Sequence, residues 1–266
     1  MKKGYVDVPE GQIHYRTEGS GEPLLLLHQA PLSSAEFNDV IPILSRHYWV
    51  IAPDMLGHGN SDDPPREYEV EDFTRSLIQL MEAIGIEKAI LAGNHSGSAL
   101  ALSVAVTHPE RVKKLVLSGE TLTPPEEVHA FLEMLKTKPM SRDLPMTEDG
   151  SFLVEAWGRY KGLAPGSEPA VRFKAFTIGL AARVRPYDAH FAVFRWTERE
   201  NRLPRVKCPV LIFDGDKDLF FSRETMESAK NSIPNCEIAI IEGAGAMVCF
   251  QKPQEWAQTV LAFLQG

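Results

Sequence analysis

The sequence predicts an α/β domain: a mostly parallel sheet with helices on both faces and one helical insertion. Three observations carry this. Short apolar runs recur that suit strands covered on both faces, and stretches of helical period separate them. Between residues 121 and 204 the strand signal vanishes and helical stretches broken by prolines take over.

In order, Gly4–Val8 and Gln12–Thr17 flank the turn Pro9-Glu10-Gly11. Ile13 and Tyr15 alternate there with polar neighbours, as in a half-exposed hairpin at a sheet edge. Pro23–His28 is a continuous apolar run, so it reads as a buried strand. After a Ser33-Ser34 cap, the spacing of Phe37, Val40, Ile41 and Leu44 predicts a helix over Ser34–Leu44. Tyr48–Ala52 is a strand, and Val70–Ile84 a helix with Phe73, Leu77, Leu80, Met81 and Ile84 on one face. Strand Lys88–Ala92, helix Ser98–Val106 and strand Val112–Leu117 follow. Helices over Glu126–Leu135, Phe152–Leu163 and Pro169–Ala182 fill the insertion. The alternation resumes with Val210–Phe213, Ser222–Ser232, Glu237–Ile241 and Pro253–Leu264. The expected organisation is a core of residues 1–120 and 205–266 with an insertion, 121–204, that can form a lid.

Composition bounds the function class. Hydrophobic residues make up 44% and charged residues 24%, ordinary values for a soluble globular protein. The formal net charge of -8 is spread along the chain, which argues against nucleic acid or an anionic membrane as partner. No run has the length of a membrane span, and the start lacks a signal-peptide stretch, so a cytoplasmic location is expected. Cys208, Cys236 and Cys249 have no metal-ligand spacing and read as reduced thiols. No phosphate-binding glycine loop is present, because Gly57-His58-Gly59 follows a strand without dinucleotide spacing. No cofactor is expected.

The chemistry gathers at Gly93-Asn94-His95-Ser96-Gly97, between a strand and a helix. A nucleophile elbow needs this setting, with small residues two places either side of the functional residue. Gly93 and Gly97 bracket His95. A register with Ser96 at the apex would put Asn94 and Ser98 at the small positions, and Asn94 fits poorly. Histidine also tolerates positive φ better than most side chains. With Asp54-Met55-Leu56-Gly57-His58-Gly59, His108-Pro109-Glu110-Arg111-Val112, Phe213-Asp214-Gly215-Asp216-Lys217-Asp218 and Gly243-Ala244-Gly245-Ala246-Met247, the chain resembles the α/β-hydrolase superfamily from Gly21 to its end.

The resemblance implies an acid after the Val210 strand, where Asp218 stands, or just beyond the Val112 strand, where Glu120 stands. It also implies a histidine after the Glu237 strand, but that position holds Ala246, so an ordinary Ser-His-Asp relay cannot assemble. In the loop His28-Gln29-Ala30-Pro31 the N–H of Ala30, with that of Ser96, is the expected oxyanion donor pair, and Gln29 adds a side-chain amide. His28 and His58 read as loop-bonding residues. Trp157, Tyr187, His190 and Met247 are candidate substrate contacts. His95, Glu120 and Asp218 form no chelating run, so no metal site is expected. The functional expectation is an enzyme on a small, largely apolar ester, lactone or activated carbonyl, with His95 as general base or nucleophile. The alternative is a silenced fold that binds a small molecule.

Overall fold

The computed structural model describes residues 1–119, 125–137, 140, 143–182, 185, 187, 189–196 and 199–266. Among them eight strands form one sheet: β1 (Lys2–Val8), β2 (Gly11–Glu18), β3 (Pro23–Leu27), β4 (Trp49–Pro53), β5 (Ala89–Asn94), β6 (Val112–Ser118), β7 (Val210–Gly215) and β8 (Cys236–Ile241). Their spatial order is β1-β2-β4-β3-β5-β6-β7-β8. β1 and β2 pair antiparallel and β2 joins β4 antiparallel. Every pairing from β4 through β8 is parallel.

The period of two along a strand divides the core. Leu25 and Leu27 of β3, with Leu91 and Leu117, face α2 (Val70–Ala83) and α3 (Ser96–Thr107). Leu24 and Leu26, with Ala92 and Phe213, face α1 (Ile41–Leu44) and a closing helix, Pro253–Gln265, whose Trp256 is fully buried. Each of the four leucines is fully or almost fully buried, worth about 1.5–3 kcal/mol apiece against exposure. The helix expected over Ser34–Leu44 is instead a 3-10 turn, Ser34–Phe37, followed by the short α1. Pro42 supplies no N–H and sits in the first turn of α1, which separates the two pieces.

Between β6 and β7 lie α4 (Pro125–Leu135), α5 (Ser151–Leu163), α6 (Pro169–Ala181) and α7 (Ala189–Arg195). The inner faces of α5 and α6 gather Ala156, Tyr160 and Phe176 with Leu32, Met247 and Phe250 of the sheet domain. The insertion thus shares its apolar contacts with loops at the strand C-termini. After β7 come α8 (Arg223–Ser232), then β8, α9 (Val248–Gln251) and α10 (Pro253–Gln265), the closing helix. No helix among the described residues is long and apolar enough to cross a membrane.

Candidate active site

The turn from β5 into α3 is built by its two glycines. A Cβ on Gly97 would lie 2.0 Å from the Leu27 carbonyl oxygen, and one on Gly93 would lie 2.3 Å from the Gly97 backbone. Only the absence of side chains lets the start of α3 come this close to the ends of β3 and β5. His95 stands between them at φ 47°, ψ -114°, the one non-glycine residue with positive φ among the described residues. Backbone held in so sparse a region marks a site where structure over-determines the turn. A Cβ on Gly119, just past β6, would lie 2.8 Å from His95 Nε2, so this glycine makes room for the imidazole.

His95 Nε2 stands 2.9 Å from Asp218 Oδ2, an ion-pair distance with an approach bent away from hydrogen-bond geometry. The other Asp218 oxygen accepts the Phe220 N–H at 3.0 Å, which fixes the carboxylate behind β7. Burial lowers the His95 pKa, but the charge and close approach of Asp218, then Asp214 and Glu36, outweigh it and raise the group to about 9. Burial would raise Asp218, and the opposing charge of His95 holds it below the usual carboxylate range. At neutral pH the pair is imidazolium and carboxylate.

Two acids that sequence reading passed over stand close by. Glu36 is buried; its oxygens accept from Gln29 N at 2.9 Å, Gln29 Nε2 at 3.0 Å and Asn94 Nδ2 at 2.6 Å. Burial raises it to about 7 against those hydrogen bonds and the charge of His95. Burial, then the charge of Asp218, raises Asp214 to about 7 as well. An acid next to the apolar face of the predicted first helix, and one ending the apolar run Val210–Phe213, were the available signals. Asn94 also accepts from Ser118 Oγ at 2.9 Å, and Trp256 Nε1 donates to that hydroxyl at 3.1 Å, so the network runs from the elbow into α10. Replacing Glu36 with alanine leaves three donors facing an apolar hole, and chemical denaturation should show a loss of about 2–4 kcal/mol.

The loop after β3 is held from both sides. His28 Nδ1 donates to the Gln29 carbonyl at 2.9 Å and Nε2 accepts from Met55 N at 3.1 Å. Gln29 does not offer its amide to the cavity as a free donor: Nε2 bonds Glu36 and the Ala246 carbonyl, the latter at 3.1 Å. Nor is the Ala30 N–H open, since it donates to Ser96 Oγ at 2.6 Å. The Ser96 N–H, first in α3, has no acceptor within the helix.

Above this floor is a cavity of about 430 Å³, within the range of small-molecule sites. His95, Ser96, Gln29, Ala30, Ala246 and Met247 line its base. Tyr160, Phe176, His190, Val193 and Phe194 of the insertion form its roof. Of the four expected substrate contacts, His190 and Met247 therefore reach it. Trp157 does not: it packs edge-on to Phe176 at 5.4 Å, with the Arg172 guanidinium over its ring. Tyr187 is not among the cavity-lining residues either. Glu120 lies outside the described residues. No group of three or more His, Cys, Asp or Glu among the described residues could hold a metal ion.

The profile of the alpha/beta hydrolase fold family matches residues 22–154. An uncharacterized protein of Mycobacterium bovis is 35% identical over 94% of this chain and 77% of its own length. The 2-hydroxy-6-oxo-6-(2'-aminophenyl)hexa-2,4-dienoic acid hydrolase of Metapseudomonas resinovorans is 28% identical over 98% of this chain and 90% of its own. Among solved structures, the enol-lactonase from Burkholderia xenovorans LB400 superposes with a TM-score of 0.81 at 18% identity, covering 99% of this chain and 100% of that one. Two of the relatives with named activities, those of Metapseudomonas resinovorans and Acinetobacter baylyi, are hydrolases of small substrates. On sequence profile, sheet order and elbow together, the chain belongs to the α/β-hydrolase family.

Proposed function

We propose that the protein is a hydrolase of small, largely apolar esters, lactones or activated carbonyls, working through a His95–Asp218 pair in place of the serine-centred relay. The observation that carries this reading is the 2.9 Å contact of His95 with Asp218 at the base of an apolar cavity. With Ala246 unable to exchange a proton and Gln29 tied to Glu36, His95 is the one group of the floor suited to act as base or nucleophile. Asp218 orients the ring at Nε2 and leaves Nδ1 for a water or the substrate. A developing oxyanion would be met by the Ser96 N–H and, once the Ser96 hydroxyl turns aside, by the Ala30 N–H. The insertion acts as the lid that excludes bulk water from this chemistry. Relatives named as a hydrolase of an aminophenyl-hexadienoic acid and of (E)-2-((N-methylformamido)methylene)succinate lend the reading support.

Turnover of a panel of activated esters and lactones, followed across pH, tests it. A base with a pKa of about 9 makes the rate climb through neutrality toward that value. No turnover across the panel would favour a second reading, a silenced fold that binds a small molecule. That reading draws on the bond from Ala30 N–H to Ser96 Oγ, which leaves the hole closed by the protein's own hydroxyl.

A further inference from the structure

Apart from Tyr160, whose phenol stays neutral because burial raises its pKa, the ionisable side chains that reach the cavity are basic. Among the described residues lining it, His95, Arg159 and His190 are basic, Arg159 being paired with Glu155 at 2.6 Å, and none is aspartate or glutamate. Asp218, Asp214 and Glu36 are buried and do not line the cavity. Asp218 stands at Nε2, so Nδ1 is the polar edge of the ring left toward the cavity, and it has no hydrogen-bond partner among the described residues. Beside it, Ser96 Oγ sits 2.6 Å from Ala30 N, an oxygen acceptor already seated on a backbone donor of the cavity wall. A serine hydroxyl at an elbow apex is neutral. An imidazolium there, paired only at its rear, is a charge-assisted donor in an apolar chamber.

We infer that the cavity is a site for a carboxylate carried on a compact apolar body, one carboxylate oxygen replacing Ser96 Oγ on the Ala30 N–H and the other accepting from His95 Nδ1. The inference rests on the same floor as the hydrolase reading and names what that floor selects. Its test is binding without turnover, so the two fail separately. About 430 Å³ lined by Phe131, Phe176, Val193 and Phe194 accommodates an aromatic ring and a short chain. Ionisable groups facing His95 are Asp218 and Asp214 from the β7 end and Glu36 from below, with Arg159 of α5, paired with Glu155, and His190 of α7 across the cavity. Discrimination is therefore largest near pH 6 (roughly), where the two raised acids are mostly protonated and His95 is charged.

Calorimetric titration with phenylbutanoate and its neutral isostere phenylbutanamide, in slightly acidic buffer, decides it. The acid should bind at least about tenfold more tightly than the amide. In His95→Gln that preference should shrink to within about threefold. In Ser96→Ala binding of the acid should tighten a few-fold, because no hydroxyl competes for the Ala30 N–H. Should His95→Gln fail to fold, nitrogen-15 histidine spectra of the wild type decide instead, since the acid should shift the His95 Nδ1 resonance and the amide should not. Equal binding of acid and amide, no binding of either at concentrations on the order of millimolar, or a preference that survives His95→Gln overturns the inference.

Discussion

Replacing His95 with alanine should lower turnover of any ester or lactone substrate by about 10³-fold or more, with the protein still folded. The size follows from the floor of the cavity. Ala246 leaves no second imidazole on that floor, Gln29 is spent on Glu36 and the Ala246 carbonyl, and Ser96 Oγ is seated on Ala30 N. Asp218→Asn should act through the same ring: turnover falls about 10²-fold and its pH midpoint moves down from about 9, because Asp218 supplies the largest influences that raise His95. The paired readout separates orientation from simple damage, since a misfolded variant loses rate without moving the midpoint. A His95→Ala protein that keeps its rate would remove His95 from the chemistry altogether.

The parallel sheet was legible because its strands are apolar on both faces, as Leu24–Leu27 shows. The elbow was legible because only glycine fits at 93 and 97. Asp218 could be picked out by its place after β7, and it does meet His95. Glu36 could not, since nothing local says that an acid in a 3-10 turn will be folded under a residue almost sixty positions later. The direction of the Gln29 amide and the Ser96 hydroxyl was equally hidden, because both are settled by long-range partners. Aromatic spacing in the insertion misled for Trp157, whose ring is used up in packing against Phe173 and Phe176. An apolar helix face does not announce whether it meets a cavity or a neighbouring helix.

Thermal unfolding should show the ligand-free protein most stable at about pH 4 and losing stability steadily toward alkaline pH, by on the order of 5 kcal/mol and so by roughly 10–20 °C in Tm. The signs all run one way. Glu36 has a folded pKa of about 7 against an ordinary 4.5, and Asp214 one of about 7 against 3.8, so the folded state holds more protons and stability falls as pH rises between those limits. His95, about 9 against 6.5, carries the fall onward: its contribution is full below 6.5 and lost as pH passes through about 9. Opposing them, the buried Asp54, bonded to His14, Ser34 and Asn60, and Asp72, bonded to Arg66, are held below their usual range. Their stabilisation is present above 3.8 and lost as pH falls, which sets the acid limit. Glu36→Gln should make the arm from 4.5 to about 7 shallower, leaving the Asp214 part of it, and keep the His95 arm in place. A wild-type profile flat from neutrality to about pH 9 would mean that His95 is not held as a cation, and the paired chemistry drawn from it would go too.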